Sequence, residues 1–517
     1  MRRKTITALA LAIAGCFAAR AFAAEASPES PEARELPALG SPAPTAALIA
    51  AGVAAAAALA SRARGGAAAD SAGDPGGASS LPPRTLSYTS AADFRTDEFL
   101  AQPGLSMVKA DRLYYHGHYR WYRGDAPDPA AGTGVGVKIA VADTGINPQK
   151  GATGAAIVID VAASYDYVRN RPGSAADDYG HGTHVAGIIA APKTGAAMHG
   201  LAYNATIVNF KVGDAVVTAS DAQLADLLGR AAAAGAMIIN NSWGSPAAIT
   251  SYSTEALMAD MPRMIEASRA YVAKSGVVVF AAGNDARAQP SLQAGLPHRI
   301  TGLEPGWLAV VAVDGSGRLA GYSNRCGVAA AWCLAAPGGS AEGGIYSMHN
   351  NGDYAQLAGT SMAAPHAAAA LGALKSMFPN LSALQIRDRL LYTANRSGPY
   401  ADASAYGQGL MDLDAASSPV GGVAVPTGTS ASGPTASVAG SGIRFQSGAL
   451  RAVGVQPWVL VVDNFQRAPF WVPAETFFRE TPPQLIERQW ASLRSAPRSA
   501  ARGLASPLSF SHSPGHH

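Results

Sequence analysis

Short apolar runs, alternating with helix-like segments, most tightly limit what the middle of this chain can fold into. Val137 to Ala142 is apolar apart from Lys138, and Ile207 to Val212, Met237-Ile238-Ile239, Val277 to Phe280 and Leu308 to Val313 follow. Runs without strict polar alternation belong to strands buried on both faces. Between them, Ser220 is placed to cap a helix that ends near Gly235. A second helix is expected from about Ser253 to Ser275, stopped by Gly276, and Ser382 with Gln385 forms a capping box for a third through about Thr393. Strands alternating with helices predict an α/β fold, a mostly parallel sheet with helices on both faces. In such a sheet functional side chains gather at the carboxyl ends of the strands. Asp143 and Asn284 fall where two of the expected strands stop.

Four motifs carry chemistry. Ala140-Val141-Ala142-Asp143-Thr144-Gly145 ends a strand. Gly180-His181-Gly182-Thr183-His184-Val185-Ala186-Gly187 follows. Val278-Val279-Phe280-Ala281-Ala282-Gly283-Asn284 ends another strand, and Gly359-Thr360-Ser361-Met362-Ala363-Ala364-Pro365 opens an Ala-rich helical run. A serine hydroxyl is a weak nucleophile that needs a base, and the base needs an orienting group. A serine at a helix start also has a backbone N–H that the helix does not use. The order Asp, His, Ser is one of three known chain orders for this constellation. Taken singly, each residue has a structural reading: Ser361 as a helix cap, Asp143 as a turn residue, Asn284 as a left-handed turn.

Together, and in this order, the motifs resemble those of the subtilases, the subtilisin-like serine proteases, over about Gly134 to Ala416. The resemblance implies a three-layer subtilisin-like fold. It implies that Ser361 attacks a peptide carbonyl, His181 acts as base and then acid, and Asp143 orients the imidazole. Asn284 would donate to the oxyanion with the Ser361 N–H. Ser242-Trp243-Gly244 resembles the segment that pairs with an extended peptide as an added strand, with Trp243 as a core residue the alternative. Neither this segment nor Ala281 to Asn284 places a carboxylate toward the side-chain pocket, so no strict demand for Lys or Arg is expected. His184 lies three residues after His181, but no Glu or Cys cluster accompanies it, so no metal is expected there. Many subtilases hold calcium in a loop after the histidine helix. The matching stretch here, Ala191 to Gly200, has neither carboxylates nor side-chain amides, so no cofactor is expected and calcium is not supported.

The flanks suggest export. Met1-Arg2-Arg3-Lys4 precedes an apolar run over Ile6 to Gly15, a signal-like start. Two processing routes compete: Ile13-Ala14-Gly15-Cys16 resembles a bacterial lipobox with lipidation at Cys16, and Ala21-Phe22-Ala23 suits ordinary signal peptidase. Cys326 and Cys333 would close a short loop in an oxidising compartment, with two buried free thiols as the alternative. The expected layout is a signal over 1–23, a low-complexity spacer over 24–83, an N-terminal extension over 84–133, the peptidase domain over 134–416 and an irregular tail over 417–517. With the export signal and the Asn241-Ser242-Trp243-Gly244 and Cys326…Cys333 segments, this resembles the autotransporter branch of the family, lacking the C-terminal barrel. Protein or peptide substrates at the outer membrane, at the cell surface or outside it are then implied, with Cys16 as an outer-membrane lipid anchor. A catalytically silent surface passenger or adhesin is the alternative. A net charge of +3 over 517 residues gives no nucleic-acid footprint. Nothing in the sequence fixes an oligomeric state.

Overall fold

A computed structural model describes residues 90–120, 122–123, 126–127, 130–148, 156–214, 218–350, 352–426, 435–437 and 458–473. The expected signal, Cys16 and the spacer lie outside these residues. The described residues fall into two units, one up to Ser418 and one from Pro419.

The first unit is built on an eight-stranded sheet. Its strands are β1 (Lys138–Asp143), β2 (Tyr165–Asp166), β3 (Arg171–Pro172), β4 (Thr206–Lys211), β5 (Ile238–Asn241), β6 (Val277–Ala281), β7 (Trp307–Val313) and β8 (Cys333–Pro337). The spatial order is β8-β7-β6-β5-β1-β4-β2-β3, parallel throughout except for the β2–β3 pair. Both faces are covered, as the apolar runs require. Ala140, Ala142, Val208, Phe210, Ile239, Val278 and Phe280 share a core cluster with Leu227, Leu228, Met264 and Ile265. The intervening side chains turn to the other face, where a Cβ at Gly372 would lie 2.6 Å from Ile139.

The helices follow the same logic. α1 is Ala110–Arg120 and α2 is His181–Ala190. α3 (Asp221–Ala233) is capped by Ser220, with Gln223 completing the box. The single helix expected from Ser253 to Ser275 is two, α4 (Thr254–Asp260) and α5 (Pro262–Ala273). Pro262 cannot donate to the helical ladder and its ring crowds the carbonyl four residues back, and at the first position of α5 neither property costs a helical bond. α6 is Thr360–Met377, and α7 (Ala383–Tyr392) carries the expected Ser382/Gln385 box. A hairpin, β9 (Ile345–Met348) and β10 (Tyr354–Leu357), packs against α2. No helix among the described residues is long and apolar enough to cross a membrane.

The N-terminal extension folds onto this unit. Phe99, Leu105, Val108, Leu113 and Tyr114 are buried, whereas Leu100 is exposed. Tyr114 donates to the Leu201 carbonyl at 2.7 Å, and Lys109 pairs with Asp412. Cys326 and Cys333 are joined as a disulfide around a short 3-10 turn.

The second unit corrects the expected irregular tail. β11 (Val423–Pro426), β12 (Thr435–Ser437), β13 (Trp458–Asp463) and β14 (Pro469–Pro473) form an antiparallel sheet in the order β12-β11-β13-β14. Val461, Val462 and Phe470 are buried, and Asp463 fixes a turn by accepting from Gln466 and Ala468 N–H groups. The strand character at Trp458 to Val472 was legible in the sequence. Its partner β11, more than thirty residues back along the chain, was not.

Candidate active site

The site forms where strand ends and helix starts meet. Asp143 closes β1, and parallel pairing sets Ala142 opposite Asn241 of β5, the residue before Ser242. His181 opens α2 and Ser361 lies in the first turn of α6, the helix packed beside α2. His181 Nδ1 and Asp143 Oδ1 are 2.7 Å apart, with the two residues 5% and 1% exposed. The Thr144 N–H donates to the same carboxylate oxygen at 2.8 Å. Burial works against the imidazolium, but the charge and hydrogen bond of Asp143, with Asp177 behind it, outweigh burial and raise the His181 pKa.

Ser361 is held through Ser242. The Ser361 hydroxyl donates to the Ser242 carbonyl at 2.9 Å, and the Ser242 hydroxyl donates to the Ser361 carbonyl at 2.8 Å. A serine has one O–H proton, so in this conformation it is not shared with His181. A hydroxyl bound this way has to turn its proton away from the Ser242 carbonyl before a base can take it.

Beside it stands an amide donor. The Thr360 backbone N–H and hydroxyl both donate to Asn284 Oδ1, at 2.8 and 2.7 Å. A backbone N–H can face only an acceptor, so this contact fixes the amide with Nδ2 outward. Asn284 is exposed, and neither its Nδ2 nor the Ser361 N–H is used within the described residues. Two free donors at the start of one helix suit a developing oxyanion.

Other expected residues are placed differently. The Trp243 side chain is buried, donates to the Ala142 carbonyl at 2.9 Å and meets Phe280 edge-on. It is core, which leaves only its main chain for binding. Gly244 keeps its backbone N–H and carbonyl unused among the described residues. His184 faces the Ile345 and Ala355 carbonyls at 3.0 and 3.1 Å, and burial lowers its pKa to about 3. A neutral imidazole tying down the hairpin is a structural residue.

The loop after α2 has the wrong polarity for a cation. The Thr194, Gly195 and Ala196 N–H groups all point at Glu98 Oε2, at 3.1, 2.7 and 3.1 Å. A calcium site needs oxygens facing inward, and this loop presents donors to a carboxylate from the N-terminal extension. The residues present do not fit calcium.

Sequence reasoning missed Asp177 and Glu98. Asp177 lies three residues before the N-cap Gly180, outside the local pattern that marks a helix start. Glu98 carried no local signal, because its partners lie almost a hundred residues away.

The profile of the subtilase family matches residues 134–409. Subtilisin DY of Bacillus licheniformis is 31% identical over 313 residues, 60% of this chain and 97% of its own length. Serotype-specific antigen 1 of Mannheimia haemolytica is 41% identical over 140 residues, 26% of this chain and 15% of its own. The extracellular serine protease of Serratia marcescens is 28% identical over 377 residues, 62% of this chain and 34% of its own.

Proposed function

The chain belongs to the subtilase family and is a subtilisin-like serine endopeptidase; from that premise we propose that it is exported and cleaves proteins at or beyond the cell surface with Asp143, His181 and Ser361. The observations that support the residue assignment are the buried Asp143–His181 pair and, bonded to Ser242 beyond the neighbouring strand, Ser361 flanked by two N–H donors unused among the described residues. Ser361 Oγ attacks the peptide carbonyl carbon while His181 takes its proton. Negative charge moves onto the carbonyl oxygen, which Asn284 Nδ2 and the Ser361 N–H receive. The C–N bond then breaks as His181 returns the proton to the leaving amine, and water completes the reverse half of the cycle on the acyl-enzyme. Asp143 accepts from Nδ1 throughout and offsets the imidazolium charge.

Substrate backbone is held by Ser242-Trp243-Gly244, whose free main-chain groups at Gly244 suit an added strand. Cleavage carries no strict demand for Lys or Arg, since neither Ser242-Trp243-Gly244 nor Ala281 to Asn284 contains a carboxylate to face a basic side chain. Export is supported by the signal-like amino terminus and by the disulfide. The autotransporter resemblance is supported by the partial similarity to a serotype-specific antigen. Cys16 lipidation and cleavage after Ala23 are the two routes to the mature amino terminus. The test is labelling by a fluorophosphonate probe, abolished in Ser361→Ala. Folded wild-type protein that stays unlabelled overturns the assignment and favours a silent passenger.

A further inference from the structure

The loop that leads into α2 ends in a carboxylate for which the reaction, as described, has no use. Asp177 is 3% exposed. Its Oδ1 accepts from the Thr144 hydroxyl at 2.8 Å and the Tyr179 N–H at 2.9 Å. Its Oδ2 accepts from the Thr183 N–H and the Thr183 hydroxyl, both at 2.8 Å. Its backbone is clamped by Asn147, whose side chain accepts from the Asp177 N–H at 3.1 Å and donates to the Asp177 carbonyl at 2.7 Å.

Capping α2 would need only the Thr183 N–H. The additional bonds lead to the reacting pair. Thr144 Oγ1 gives its proton to Asp177 and accepts from the Gly182 N–H at 2.9 Å, next to His181. The Thr144 N–H holds the Asp143 oxygen that faces His181. The two backbones are also in contact, since a Cβ on Gly182 would lie 2.2 Å from the Gly145 carbonyl oxygen. One closed ring of bonds thus joins Asp177, Thr144, Asp143, His181 and the first turn of α2.

We propose that Asp177 is a positioning residue of the peptidase, fixing Thr144 and the start of α2 so that His181 keeps one orientation on Asp143. This rests on the peptidase reading above. It also gives the imidazolium a second carboxylate. The other titratable groups around His181 are Asp143 from β1 and His184 one turn along α2, with His349 of the hairpin turn next to Gly180 and acting on His184. Asp143 and Asp177 favour the charged imidazole, and neutralising Asp177 removes part of that support.

The experiment compares Asp177→Asn with Asp178→Asn in the full chain. Asp178 is the neighbouring carboxylate, paired with Lys211 at 2.7 Å outside the ring. Expected for Asp177→Asn is a kcat lower by about 10–100-fold with KM nearly unchanged, as for a small misplacement of a reacting group. The acid limb of kcat/KM should also move to lower pH. Asp178→Asn should match wild type in both. Wild-type kcat and an unmoved acid limb in Asp177→Asn overturn the proposal. If Asp177→Asn does not fold, Thr144→Val removes the bridging hydroxyl while keeping its shape. A kcat loss in that variant supports the proposal and wild-type turnover overturns it. If the wild-type chain lacks peptidase activity, the function reading fails separately. The His181 titration, followed by NMR on the 15N-histidine chain, then decides the positioning claim: a midpoint at lower pH in Asp177→Asn supports it and an unmoved midpoint overturns it.

Discussion

The starts of α2 and α6 are built alike and used in opposite ways. Each follows a glycine that offers no side-chain cap, so each leaves backbone N–H groups for other partners. At α2 those groups are taken: Gly182 donates to Thr144, and Thr183 donates to Asp177. At α6 the Thr360 N–H goes to Asn284 and the Ser361 N–H is left open. The positive end of a helix dipole opposes a cation and favours an anion. An imidazolium at the start of α2 is therefore placed against the dipole, and two buried carboxylates, Asp143 and Asp177, offset that cost. An oxyanion at the start of α6 gains from the dipole and needs only unspent donors. The lesson is that partners, not the helix end itself, decide which charge the end supports.

Changing the α6 end gives the largest effect and separates the two ends. Asn284→Ala should lower kcat by about 10²–10³, the range that loss of the oxyanion-hole asparagine produces in a related subtilisin. KM and the acid limb of kcat/KM should stay where they are, because the His181 surroundings are untouched. An acid limb that moved in Asn284→Ala would mean that the two ends are coupled, and the contrast would fail.

A smaller effect concerns the second histidine on each helix. His184 on α2 is lowered to about 3 and His366 on α6 to about 4, both by burial, against an ordinary 6.5. His199, behind the extension, is also lowered to about 4 by burial. The unfolded chain takes up these protons as pH falls through 6.5, and the folded chain resists until much lower pH. Stability is thus complete above that point and falls with acid. The urea midpoint should drop between pH 6.5 and 4, and His366→Asn should flatten the slope. A midpoint constant over that window would contradict neutral, buried imidazoles at both helices.

The smallest effect lies away from both ends. The Cys326–Cys333 disulfide closes a loop with a sequence separation of 7. Replacing both cysteines with serine should cost about 2 kcal/mol of stability, read by denaturant melting, and should leave kcat and KM at wild-type values. A kinetic change would connect this loop to the site.

Much of the site was legible before folding. The strand ending at Asp143, the boxes at Ser220 and Ser382, and the order Asp143, His181, Asn284, Ser361 rest on local patterns, and local patterns survive in a bare sequence. The break at Pro262 could have been read too, because proline acts on its own neighbours. Glu98 on the loop at Thr194 could not, nor could the choice between core and binding for the Trp243 side chain, nor the pairing of β11 with β13. Each depends on a partner far along the chain.

The sequence by itself determined the alternation of strand and helix, and which chemical groups stand at their ends. Only the tertiary structure decided that Ser361 shares its proton with Ser242, that Asn284 turns Nδ2 outward, and that Asp177 is tied to Asp143 through Thr144. The reason is geometric. A hydrogen bond depends on distance and direction within fractions of an ångström, and those are set by the packing of elements that no local pattern relates.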